Sequence, residues 1–74
     1  MPFMTEVYYY LGETSEYFTQ GKPYRVIEVG NYWYKPYEYG AWMTNDDCPD
    51  TNDIDYGVFV DERDFGKGKD FVKY

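Results

Sequence analysis

Aromatic side chains outnumber branched aliphatic ones two to one in this chain, and that inversion limits what it can fold into. Eleven Tyr, five Phe and two Trp stand against one Leu, two Ile and six Val in 74 residues. Tyr, Phe, Trp, Val and Thr suit a pleated, half-buried surface, whereas Ala, a leading helix former, occurs once. So small a body cannot bury eighteen rings, so some tyrosines must pack with their hydroxyls in water. Such richness in aromatics also excludes a disordered chain. The expectation is a single acidic, aromatic-rich β domain over residues 1–74.

The turn residues divide the chain into short strands. Glu6–Leu11 reads as a strand ended by Gly12, and Glu13–Gln20 as a polar connection carrying Tyr17 and Phe18. Gly21-Lys22-Pro23 reads as a turn. Tyr24–Val29 is the clearest strand, with Tyr24, Val26 and Glu28 predicted on one face and Arg25, Ile27 and Val29 on the other. Gly30-Asn31 is a hairpin signal. Asn31–Tyr39 is dense in aromatics, and Pro36 within it argues for an edge position or a bulge. Gly40–Thr44 is a short apolar run, and Asn45–Asp55 a turn-rich loop with five aspartates and no base. Tyr56–Val60 reads as a strand with a bulge at Gly57, Asp61–Asp64 as a tight turn or one turn of 3₁₀ helix, Phe65–Lys69 as flexible, and Asp70–Tyr74 as a terminal strand. Short strands with turns at this spacing predict an all-β fold, a small five-stranded antiparallel barrel or sandwich.

The run Tyr17-Phe18-Thr19-Gln20-Gly21-Lys22-Pro23-Tyr24-Arg25-Val26-Ile27 resembles the opening of small SH3-like barrel proteins encoded by phages of Gram-positive bacteria. Asp46-Asp47, Val58-Phe59-Val60, Asp64-Phe65 and Phe71-Val72 follow in the order of that family's later turn and strands. The resemblance covers about residues 16–74 and implies an SH3-like barrel. It brings no catalytic residues with it. The aromatic run Tyr32–Tyr39 and the long Asp-rich loop depart from the family's plainer hairpins.

Several chemistries are disfavoured outright. Without His and with one Cys, the usual zinc sets and the Ser-His or Cys-His nucleophile pairs cannot form, nor can an internal disulfide. Cys48 lies beside Asp47, where negative charge raises a thiol's pKa, so it reads as a passive loop residue. Asp53, Asp55, Asp61 and Asp64 fall at calcium-loop spacing, but Gly57 stands where an acceptor is expected, Val58 where Gly is and Asp64 where Glu is. No cofactor, metal or enzymatic activity is expected. No apolar run reaches a membrane span and no basic segment leads an apolar one, so a soluble cytoplasmic protein is expected.

Charge carries the functional expectation. Residues 1–62 hold twelve acids against three bases, a balance of −9, and the last twelve residues carry +2. No base falls between Thr44 and Glu62. Acids on alternate strand positions repeat about every 6.6 Å, near two phosphate steps of a nucleic-acid strand. The expected function is therefore DNA mimicry. Glu38, Asp46, Asp47, Asp50, Asp53, Asp55, Asp61 and Glu62 would occupy the DNA site of a basic host protein, with Tyr37, Tyr39 and Tyr56 adding contact. Candidate partners are a histone-like nucleoid protein, a glycosylase, a nuclease or RNA polymerase in an infected bacterium. A small acidic, aromatic-rich chain of this kind resembles the phage-encoded DNA mimics that block host nucleic-acid-binding proteins. A homodimer would bury spare aromatics. The alternative is a structural or adaptor barrel that binds a protein through exposed aromatics. Direct nucleic-acid binding is disfavoured, because the rings lie among acids and the only basic cluster is Lys67–Lys73.

Overall fold

A computed structural model describes residues 7–73. The expected strand ends Glu6 and Tyr74 lie outside the described residues. Five strands form the fold: β1 (Val7–Tyr10), β2 (Pro23–Asn31), β3 (Tyr39–Met43), β4 (Val58–Asp61) and β5 (Phe71–Lys73). All neighbours pair antiparallel in the order β4-β3-β2-β1-β5, and the sheet curls into a half-barrel. Two 3₁₀ turns, Ile54–Tyr56 and Glu62–Asp64, precede and follow β4. The all-β, five-stranded antiparallel expectation therefore holds, and the short curled sheet has SH3-like character.

The inside of the curl is an aromatic core. Tyr8, Phe18, Tyr24, Val26, Ala41, Met43, Val60 and Phe71 are buried together. Phe18 meets Tyr24 and Phe71 edge-on at 4.9 and 5.1 Å, the geometry that ring quadrupoles favour. Phe65, just after the second 3₁₀ turn, bridges to Phe71 of β5 and ties the chain leaving β4 to the far edge of the sheet.

The outer face of β3 and β4 is covered as well, which explains how so many rings find a place. Trp42 is buried beneath Phe59 at 5.1 Å and Trp33 at 5.6 Å, and Tyr32 stacks on Phe59 at 4.6 Å. The segment that covers them is the aromatic run 32–38, which is a loop. Its ends are joined by Tyr32 N–H donating to the Glu38 carbonyl, and Asn31 Nδ2 donates to the Pro36 carbonyl. Pro36 thus sits in a connection, where its missing N–H disturbs no ladder. Gly40 lets β3 and β4 approach on this face, since a Cβ there would overlap the Val60 carbonyl.

Three local expectations are corrected. Gly30 and Asn31 do not turn the chain; they continue β2 opposite Gly40 and Tyr39, and the hairpin is closed by the seven-residue loop 32–38. The simple alternation of β2 fails because its register shifts between Val26 and Glu28. That bulge exposes Glu28 and brings Val29 against the core. Gly57 is not a bulge, and Tyr56 is not in a strand. Gly57 closes the first 3₁₀ turn by donating its N–H to the Ile54 carbonyl, and β4 begins at Val58.

Candidate functional site

The long β3–β4 connection, residues 44–57, carries five of the fourteen acids and no base, and buried polar side chains hold it in shape. Asn45 is 2% exposed. Its Oδ1 accepts from the N–H groups of Asp47 and Cys48, both at 3.1 Å, while its Nδ2 donates to the Tyr56 carbonyl at 3.0 Å. One side chain therefore joins the beginning of the loop to its end. Arg25 of β2 reaches under the loop and donates from Nη2 to the Thr51 carbonyl at 2.9 Å. Asp53 caps the first 3₁₀ turn by accepting from the Asp55 N–H.

Asp46 fastens the loop to the β1–β2 connection. Its carboxylate accepts from Thr19 Oγ1 at 2.7 Å, Tyr24 OH at 2.7 Å and Lys22 Nζ at 3.0 Å. These bonds, that from Thr19 foremost, hold the Asp46 carboxyl below the usual carboxylate range. The bond to Asp46 likewise raises the Lys22 ammonium. Burial raises the Tyr24 hydroxyl, which also donates to Asp46.

The expected partner-binding acids separate into four settings. Asp47, Asp50, Asp53 and Asp55 stand exposed on the loop, with Tyr56 62% exposed beside them. Among the described residues, the side chains of Asp47, Asp50 and Asp55 make no hydrogen bond or ion pair. Asp46 belongs to the same loop but is engaged inward. Glu38 and Asp61 lie at the other end of β4, where they line a groove of about 440 Å³ with Tyr17, Tyr32, Phe59 and Gly57. There Asp61 accepts from the N–H and Nε of Arg63, which hold its carboxyl below the ordinary range. Glu62 is in neither group; it stands beside Arg63, Lys67 and Lys73 at a separate cavity. Tyr37 projects from the 32–38 loop at 82% exposure, and Tyr39 opens β3.

The strand-spacing argument for phosphate mimicry is corrected by this placement. Asp46 through Asp55 lie in a loop and a 3₁₀ turn, where the side chains of Asn45, Thr51 and Asp53 bond neighbouring N–H groups and so favour turns over ladders. Among the described residues, no group of three or more His, Cys, Asp or Glu side chains forms a metal-holding set. No helix among them is long and apolar enough to cross a membrane.

Sequence reading missed Asn45, Thr19 and Arg25 as the residues that position the loop. An Asn directly before two Asp at the end of an apolar run is an Asx-turn signal and points to Asn45. Nothing local marks Thr19 or Arg25, whose contacts span 27 and 26 residues. No known protein family, curated protein or solved structure matches the chain.

Proposed function

We propose that the protein is a non-enzymatic inhibitor that binds a basic DNA-binding protein by offering carboxylates in place of phosphates. The observation that carries this reading is the anchored β3–β4 loop. Two bases contact the loop, Lys22 through Asp46 and Arg25 through the Thr51 carbonyl, while Asp47, Asp50, Asp53 and Asp55 face water. Anchoring matters because a fixed set of charges loses little freedom on binding. Tyr56 adds an apolar face beside the charges, of the kind enriched at protein interfaces. The −7 chain steers a basic partner towards it. The setting that suits such an inhibitor is the cytoplasm of a phage-infected bacterium.

The test is capture of proteins from a bacterial lysate on the immobilised chain at low and high salt, followed by elution with duplex DNA. The expected result is a basic protein that DNA displaces and that high salt releases. Retention of the captured protein in the presence of excess DNA contradicts mimicry.

One observation favours a second reading, an adaptor barrel. Trp33, Tyr34 and Tyr37 are exposed by half or more on a single loop, over the outer ring cluster. A partner, or a second copy, seated on those rings would respond little to salt.

A further inference from the structure

β4 is an edge of the sheet: β3 pairs on one side of it, and among the described residues no strand pairs on the other. The ladder fixes which of its backbone groups look outward. Tyr32 N–H donates to the Glu38 carbonyl where β2 meets β3, and bonded pairs alternate from there. Gly40 and Trp42 therefore turn their backbone groups to β2, and Ala41 and Met43 turn theirs to Val60 and Val58 of β4. The Val60 carbonyl accordingly lies against Gly40 of β3. That leaves the N–H and C=O of Phe59 and the N–H of Asp61 pointing away from the sheet. Among the described residues none of these three groups meets a hydrogen-bond partner.

A groove of about 440 Å³ runs along this edge. Gly57, Val58, Phe59 and Asp61 line it and Val60 does not, as the alternation requires. Tyr17, Tyr32 and Glu38 complete the lining, which contains no cation. The Asp61 carboxylate is spent on Arg63, and the Tyr32 ring on Phe59. The Glu38 carboxylate and the Tyr17 hydroxyl have no hydrogen bond or ion pair among the described residues. Exposed edges are commonly blunted by Lys, Pro, a bulge or a covering segment. β4 has no Lys or Pro and pairs with β3 without a bulge. The opposite edge is covered, since Phe65 bridges Phe71 and Gly66 N–H donates to the Phe71 carbonyl.

From this arrangement we infer that the β4 edge docks an extended, basic segment of a partner protein, which adds to the sheet as a further strand. Main-chain bonds to Phe59 and Asp61 set its register, and a basic side chain on the groove side meets the Glu38 carboxylate and the Tyr17 ring. A second copy fits less well, because it brings another net charge of −7 to an edge flanked by Glu38 and the acidic loop. The contact is separate from the loop carboxylates on which the mimicry reading rests.

The test is titration of the full chain with a short blocked peptide of alternating lysine and valine, followed by calorimetry, amide NMR and hydrogen exchange. The Phe59 and Asp61 N–H groups should slow in exchange, whereas those of Val58 and Val60, already bonded to β3, should not slow further. The same peptide with every amide N-methylated keeps its charge and loses its donors. It should bind at least about tenfold more weakly, as should the analogue with glutamate in place of lysine. Asp61→Pro removes an outward donor where φ is already −64°, and Asp61→Ala removes the side chain alone. The proline variant should bind the lysine peptide about tenfold more weakly than the alanine variant. Glu38→Gln should narrow the gap between the lysine and glutamate peptides. The wild-type exchange pattern decides the matter even where the proline variant fails to fold. Absence of binding, full affinity of the methylated peptide, equal affinity of the lysine and glutamate peptides, or unslowed Phe59 and Asp61 amides in the bound chain overturns the inference. So does protection of those two amides in the free chain that grows with protein concentration, the mark of a second copy on the edge.

Discussion

At the scale of single residues, the acidic loop depends on a neutral one. Asn45 is buried, and its amide satisfies two N–H groups and one carbonyl. Asn45→Ala leaves those groups unanswered and should cost about 1–3 kcal/mol by chemical denaturation. Asn45→Asp keeps the acceptor but sets a carboxylate against the Tyr56 carbonyl, and should recover only part of that loss. Met43, fully buried, should cost about 2–5 kcal/mol as Ala. Two aspartates make opposite contributions to pH dependence. Asp46 titrates below the ordinary range in the folded state, so its stabilisation is full above the unfolded value and disappears as pH falls through the folded one. Asp64 titrates above that range, through burial first and then the nearby Asp70 and Asp61. Its ionised form therefore weakens the fold at neutral pH, and protonation relieves this as pH falls. Asp64→Asn should raise the melting temperature at pH 7 and lose that advantage in acid; a gain that persists at pH 3 contradicts the assignment.

At the scale of elements, strands were legible where side chains decide and illegible where partners do. β1, β4 and β5 follow from β-favouring runs bounded by Gly and Asp. The bulge in β2 was not legible, because nothing between Val26 and Glu28 is unusual in itself; the β3 register imposes it. Likewise Asn31–Tyr39 has strand composition, yet it folds back as a loop because Trp42 and Phe59 offer rings to cover. That cover should be separable from the sheet. Trp42→Ala removes a buried ring and should cost about 3–5 kcal/mol. Trp33→Ala, half exposed, should cost clearly less and shift near-ultraviolet dichroism with little change in strand content. Equal destabilisation by the two variants would mean that the loop is part of the folding core.

At the scale of the whole molecule, charge is sorted by the fold. β4 runs from the acidic loop to the second 3₁₀ turn, which places Asp47, Asp50 and Asp55 at one end of that strand and Arg63 at the other. The acidity of Asn45–Asp55 was legible from sequence, because charge is additive along a run. The division of the eight expected acids into an exposed loop group, an inward Asp46, a groove pair and a Glu62 among cations was not, because topology distributes them. Mimicry of phosphates rests on the exposed loop carboxylates alone. Its most direct measurement is the affinity of the lysate-captured partner for the wild-type chain and for Asp47→Lys/Asp50→Lys/Asp55→Lys, which spares the capping Asp53 and the anchoring Asp46. Binding should fall by about two orders of magnitude at low salt, with melting unchanged and the difference shrinking as salt rises. Undiminished affinity of the folded triple variant would contradict the account.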